Sequence, residues 1–336
     1  MSNTMKLSEA LTKDELRELR KKSDLRALAT LVWNWGLIIA AFAVAIIWPN
    51  PLTILAGILI LGGRQLGLGI INHDCAHHAF FKSQRVDDFV GHWIAGAPMN
   101  ISLPAYRAYH LKHHKYAGTP DDPDIIFVKN YPVPKDSLRR KFVRDLTGQT
   151  GLRDTLRKIR SFKLSRNWPW LTFHIALAGT LTAIGAPWAY LMWWAAELFI
   201  YPAIVRLRQI GEHGTAKDRT SLDPRLNTGT TVAPFWQRVL IAPNDVNYHL
   251  EHHITRHLIA SRMAMTMLSA ALSTMTPQRW CLLNRLALLN RDPERTGRHP
   301  GPVEEIAEGG IALTIPDLGH RLIFCLHDHS IAIKLG

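Results

Sequence analysis

The sequence predicts an all-α integral membrane protein with four transmembrane helices in two hairpins and a helical cap on the cytoplasmic side. Three observations carry this prediction. Long apolar runs come in pairs, each pair divided by a short break. Lys and Arg collect before and between the pairs and are missing from the two breaks. Three dense histidine motifs fall on the side where those cations collect.

The first pair runs from Ala27 to Trp48 and from Leu52 to Ile71, around Pro49-Asn50-Pro51. Each run has the ~20 residues that cross a bilayer core. Arg64 and Gln65 interrupt the second run. An ionisable residue at that depth is costly and faces the protein interior or a polar cavity. The second pair runs from Trp168 to Gly185 and from Pro187 to about Val205, with its break at Gly185-Ala186-Pro187. Glu197 is a lone acid in the last run and is expected to face inward. Trp168, Trp170, Trp188, Tyr190, Trp193 and Trp194 either form an interfacial belt or pack between helices.

Charge sets the orientation. Arg17, Arg20, Lys21, Lys22 and Arg26 precede the first run, and Arg139, Arg140, Lys141, Arg153, Arg157, Lys158, Arg160 and Lys163 lie between the pairs. The positive-inside rule then places the N-terminus, the middle region and the C-terminal region in the cytoplasm. Three regions are expected: an amphipathic N-terminal segment over 1–26, a membrane domain over 27–253 and a cytoplasmic region over 254–336.

With 40 Lys and Arg against 27 Asp and Glu, the formal charge is +13. Such a surplus suits nucleic acid or anionic lipid. No nucleic-acid module spacing is present, and the interleaved apolar runs favour lipid, so no nucleic-acid partner is expected. Cys75, Cys281 and Cys325 are odd in number and lack CxxC spacing, which argues against a disulfide framework or a zinc ribbon. The N-terminal stretch lacks the short apolar core of a signal peptide, so none is expected.

The histidine motifs carry the chemistry. They are His73-Asp74-Cys75-Ala76-His77-His78, His110-Leu111-Lys112-His113-His114 and His249-Leu250-Glu251-His252-His253. Residues three or four apart share a helix face, so each motif can direct imidazoles at one metal or at two adjacent ones. Imidazole suits zinc, copper, iron and nickel, so ligand type alone does not choose the metal. The histidines outnumber what a single zinc needs, and no HExxH supplies a protease base. Asp74, Asp124, Glu212, Asp245 and Glu251 are candidate carboxylate partners for imidazole N–H groups.

The order HxxxH, HxxHH, HxxHH, with a membrane hairpin between the second and third motifs, resembles the membrane fatty acid desaturase family, bacterial members above all. The resemblance covers about Leu52 to His253. It includes Arg206-Leu207-Arg208-Gln209-Ile210-Gly211-Glu212-His213, similar to the segment that supplies a further histidine, and the Ala242–Tyr248 stretch before the third motif. It implies two iron ions bound by His73, His77, His110, His113, His114, His213, His249, His252 and His253, with His78 as an alternative in the first motif. Gln209 would stand where a polar side chain holds a water near the metals. His92, His174, His257, His299, His320, His327 and His329 match no motif and are expected to be ordinary histidines.

Removing hydrogen from an unactivated alkyl chain needs a redox metal, which excludes zinc. The resemblance therefore implies an O2-dependent oxidoreductase that places a double bond in a lipid acyl chain, in a bacterial inner membrane with its site facing the cytoplasm. Electrons would come from a ferredoxin, rubredoxin or cytochrome b5 with its reductase, drawn to the basic surface. A membrane hydroxylase on the same scaffold is the alternative. A metal transporter would place ionisable ligands inside several spans, and only Arg64 and Glu197 lie there. After Ile254-Thr255-Arg256-His257 the chain departs from the family pattern, through divergence or a change of reading frame near residue 254. The segment closing the substrate channel is therefore expected to be altered.

Overall fold

The computed structural model describes residues 12–14, 17 and 21–255 and the strand segments 279–281, 310–314, 321–327 and 330–335. Met1–Arg291 and Asp292–Gly336 form two compact units.

In the first unit, α1 (Asp24–Ile47) and α2 (Pro51–Ala76) make the first hairpin. The Pro49-Asn50-Pro51 break is a built helix start. The Asn50 side chain accepts from the backbone N–H groups of Leu52 and Thr53, and the Thr53 hydroxyl accepts from Asn50 N–H. Pro51 occupies the position where a missing N–H costs nothing.

Past a short connection, α3 (Gln84–Phe89) continues through a π turn over Val90–Gly96. Then come α4 (Leu103–Tyr116), α5 (Lys135–Leu146), α6 (Gln149–Arg160) and α7 (Leu164–Ala183). A long helical run, α8, spans Pro187–Gly214 and includes π segments over Ala196–Ile200 and Ile210–Gly214. Two short helices close the described body, α9 (Phe235–Leu240) and α10 (His249–Thr255).

The core lies between α1, α2, α7 and α8, where Ile38, Phe42, Leu61, Leu68, Leu181 and Trp193 pack together. The half of α2 that ends at the histidines is enclosed almost all round, from Leu61 to Ala76. Close approach there depends on glycine. A Cβ on Gly63 would lie 2.7 Å from the Leu240 carbonyl oxygen, and one on Gly67 would lie 2.1 Å from Asn34 Oδ1.

Among the described residues, α1, α2 and α8 are long and apolar enough to cross a membrane. The expected third span corresponds to α7, which has 20 residues but holds Arg166, Asn167, Pro169 and His174 and does not join that set. The polar groups within the runs face inward, as expected. Glu197 accepts from Lys158 Nζ at 2.6 Å, and Gln65 Nε2 donates to the Trp193 carbonyl at 2.9 Å. The aromatic residues of the second pair differ in burial. Trp168 and Trp188 are exposed, Trp193 is fully buried, and Trp170 and Trp194 pack on His174.

The second unit corrects the all-α expectation locally. Gly310–Thr314 (β3), Arg321–His327 (β4) and Ser330–Leu335 (β5) form an antiparallel meander. In the first unit Thr230–Val232 (β1) pairs in parallel with Arg279–Cys281 (β2). Ile331, Ile333 and Leu335 alternate along β5, the period of a strand.

Candidate metal centre

Four helical pieces deliver nine histidines to one place. The end of α2 carries His73 and His77, and α4 carries His110, His113 and His114. The terminal π segment of α8 carries His213, and α10 carries His249, His252 and His253. They form two groups, in each of which one nitrogen per ring lies within 4.8 Å of all the others. His73, His77, His110, His114 and His252 make the first; His113, His213, His249 and His253 make the second.

Helix periodicity explains the division. Residues i and i+4 lie ~40° apart around the axis, whereas i+3 and i+4 lie ~100° apart. His73 and His77 therefore stay together, as do His110 with His114 and His249 with His253. His113 and His252, each next to one of these pairs, turn to the other group.

The Nε2 atoms crowd inward. In the first group His114 Nε2 is 2.9 Å from the Nε2 atoms of both His110 and His252, and His252 Nε2 is 3.0 Å from His73 Nε2. In the second, His249 Nε2 lies 3.0 Å from His213 and 3.2 Å from His253, which is 3.3 Å from His113.

Several outer nitrogens are fixed. His73 Nδ1 meets Asp74 Oδ1 at 2.7 Å, His113 Nδ1 meets Asp122 Oδ1 at 2.7 Å, and His213 Nδ1 meets the Asn227 carbonyl at 3.0 Å. His249 Nδ1 lies 3.5 Å from Glu212 Oε1, which accepts from Arg208 Nε at 2.6 Å. A neutral ring that donates from Nδ1 presents a lone pair at Nε2. Lone pairs so close repel unless a cation lies among them. Two nitrogens at ~2.1 Å from one ion stand roughly 3.0–3.4 Å apart, so the donor set fits a metal in each group.

The electrostatics agree. Burial, reinforced by neighbouring imidazoles, holds His110, His249, His252 and His253 well below the ordinary histidine value, in the neutral form that binds metal. His113 goes the other way. Burial acts to lower it, but the Asp122 hydrogen bond and the Asp124 carboxylate outweigh this and raise it.

All nine sequence-predicted histidines lie in the two groups. His78 does not; its backbone is left-handed at φ 51°, and its ring Nδ1 is 3.9 Å from Asp88. His92 and His174 lie elsewhere, the latter bonded to the Tyr190 hydroxyl at 2.8 Å. His257, His299, His320, His329 and the His327 side chain fall outside the described residues.

Of the candidate carboxylates, Asp74 touches a histidine directly, Glu212 stands beside His249, and Asp124 is 3.7 Å from His113 while accepting from the Tyr109 hydroxyl. Glu251 accepts from the Thr230 hydroxyl. Asp122 was not among them. Its signal was the Asp121-Asp122-Pro123-Asp124 run shortly after His113, which does not say which acid turns inward. The Asn227 carbonyl has no side-chain signal at all. Beside the second group, Arg208, Gln209, Glu212, Asp124 and Tyr106 help line a cavity of ≈70 Å³.

Comparisons with known proteins lead to the same place. Residues 48–267 match the model of the family described as fatty acid desaturase. The chain is similar to dihydrorhizobitoxine desaturase of Bradyrhizobium elkanii, at 24% identity over 68% of this chain and 66% of that protein. It is similar to the sn-1 oleoyl-lipid 12-desaturase of a Picosynechococcus species, at 21% identity over 71% and 75%. A shorter similarity, 31% identity over 31% of this chain and 46% of the relative, links it to β-carotene ketolase of a Paracoccus species. The chain thus spans just under two thirds of the first relative, three quarters of the second and less than half of the third. A family model that covers well over half of the chain, and all nine clustered histidines, places it in the fatty acid desaturase family, a family of oxidoreductases.

Proposed function

We propose that the chain is an O2-dependent membrane desaturase that places a double bond in a lipid acyl chain, with one iron ion held by each histidine group. The observation that carries this reading is the division of nine clustered histidines, eight of them buried and His213 half-buried, into groups of five and four. Iron supplies the redox chemistry that no side chain can. The reaction removes two hydrogens from adjacent carbons and reduces O2 to two waters, drawing two electrons and two protons from outside.

The chain's residues do the rest. Asp74, Asp122, Glu212 and the Asn227 carbonyl orient imidazoles so that Nε2 faces inward. Arg208 offsets the charge of Glu212 beside His249. Enclosure of the rings keeps bulk water from the reacting carbons.

In this reading the domain over 27–253 is the catalytic body, and α7 joins α1, α2 and α8 as a fourth span. The support is its 20-residue length and its pairing with α8 around Gly185. The histidine end faces the cytoplasm of a bacterial inner membrane. Exposed Arg139, Arg140, Arg144, Arg153, Arg157 and Arg160 on α5 and α6 suit an acidic donor such as a ferredoxin, a rubredoxin or cytochrome b5. Hydroxylation of a lipid-like substrate is the second reading, favoured by the similarity to a β-carotene ketolase.

The test supplies iron-replete membranes with deuterated lipids, ferredoxin, its reductase and O2, followed by mass spectrometry. Loss of two hydrogens from adjacent carbons is the expected product. Gain of one oxygen selects the second reading, and an iron-loaded, reduced protein that alters no lipid overturns both.

A further inference from the structure

Arg64 lies within α2 with only 1% of its surface exposed. A guanidinium at membrane depth must find acceptors inside the protein. Those of Arg64 come from far along the chain. Nη2 donates to the carbonyls of Arg238 (3.4 Å) and Val239, and Nη1 donates to Asn34 Oδ1 at 3.3 Å. Both carbonyls belong to the last turn of α9, where a helix leaves its carbonyls without internal partners. Asn34 Nδ2 donates to Asn244 Oδ1 at 2.8 Å, and Asn244 Nδ2 donates to the Gly67 carbonyl at 2.9 Å.

Two helices give the depth of this knot independently. Arg64 lies about 13 residues, or ~20 Å, along α2 from Pro51. A hydrocarbon core of ~30 Å then leaves ~10 Å to the boundary on the histidine side. Asn34 lies about 10 residues, or ~15 Å, along α1 from Asp24 at the same side.

The chain on either side of the knot returns to the level of the histidines. Gly229 N–H donates to the Glu212 carbonyl at 2.8 Å, and Thr231 N–H donates to the Asn247 carbonyl at 2.9 Å. Between these anchors, Leu240 lies against Gly63. Irregular backbone at membrane depth survives only where protein satisfies its polar groups, which is what Arg64, Asn34 and Asn244 do here. The other end of α9 is about 9 Å away and presents Phe235 and Trp236, 65% and 53% exposed.

We propose that residues 233–246 form a re-entrant segment in the leaflet on the histidine side, tied from within by Arg64, with Phe235 and Trp236 in contact with lipid acyl chains. The segment leads directly into α10, so Arg64 is a positioning residue for His249, His252 and His253.

The test places single cysteines in a variant lacking Cys75, Cys281 and Cys325. The protein is held in phosphatidylcholine–phosphatidylglycerol nanodiscs, which leave both faces open to reagent. Bimane at Trp236→Cys is expected to be quenched by spin-labelled acyl chains as strongly as bimane at Ile39→Cys on α1. An impermeant maleimide is expected to react roughly tenfold more slowly at position 236 than at Asp121→Cys. Water-like reactivity without quenching at 236, while Ile39→Cys is quenched, overturns the proposal. If Ile39→Cys is unquenched too, the spanning assignment of α1 falls and this proposal falls with it. Arg64→Gln is expected to raise the maleimide rate at 236 roughly tenfold and to lower iron content, with Arg64→Lys restoring most of both. An unchanged rate and iron content in Arg64→Gln overturns the tie.

Discussion

Asp122 offers a way to weaken one half of the proposed metal pair and leave the other alone. Its Oδ1 receives His113 Nδ1–H at 2.7 Å, and the two side chains are 5% and 2% exposed. Both groups are shielded from bulk solvent, so removal of the carboxylate takes from Nδ1–H its charged acceptor. Loss of such a partner typically costs 10–100-fold in metal affinity, about 1.4–2.7 kcal/mol. Asp122→Asn should fall near the lower figure, because the amide oxygen still accepts from Nδ1 and Asp124 Oδ2 stands 3.7 Å away. Asp122→Ala should approach the upper one. The assay is iron per chain by mass spectrometry after dialysis against graded chelator. The variant is expected to lose one equivalent at about tenfold lower chelator than the unmodified protein, with the second equivalent unmoved. Asp74→Asn should weaken the other equivalent through His73. If Asp122→Asn releases both irons together, or releases neither sooner, the assignment of His113 to a separate group is wrong.

Other perturbations test the rest of the centre. His252→Ala and His213→Ala remove one ring from each group and should each abolish turnover, whereas His78→Ala should leave iron and turnover intact; full activity in His252→Ala would refute the grouping. Gly67→Ala places a methyl 2.1 Å from Asn34 Oδ1 and should cost roughly 1–3 kcal/mol, read as a lowered thermal midpoint in detergent. In metal-stripped protein, His110, His249, His252 and His253 bind fewer protons folded than unfolded below about pH 6.5, so stability should fall as pH drops through that value; a flat profile from about pH 7 to about pH 5 would contradict the burial argument. Truncation after Arg291, where the two units divide, should leave iron content unchanged, and loss of iron would tie Asp292–Gly336 to the site.

The nine histidines were legible because each motif is short and lies on or against a helix. Their distribution was legible in principle as well. Read at 100° per residue, HxxHH splits into an i, i+4 pair and an odd member, and the structure sends His113 and His252 across. What spacing could not supply was the identity of partners from other segments. Asp122 reaches His113 only because the chain turns back after α4, and the Asn227 carbonyl reaches His213 because residues 224–227 close a short helix beside it. Backbone acceptors have no residue type, so no pattern of side chains announces them.

Inside the membrane runs the difficulty has another cause. Arg64 and Glu197 were each marked as polar at depth, yet depth alone gives a cost and not a partner. The partners differ in kind. Glu197 is met by Lys158 from amphipathic α6, a charge supplied from the basic stretch between the hairpins. Arg64 is met by carbonyls of α9, a segment whose own sequence, Phe235-Trp236-Gln237-Arg238-Val239-Leu240, is too short to register as membrane-associated. α7 shows the converse, since Asn167 and His174 lower its hydropathy although both are buried against Asn100 and Tyr190. Hydropathy scores every polar group as if it faced lipid. Asn167 and His174 therefore make α7 read as more polar than the surface it presents, because both side chains are turned into the protein.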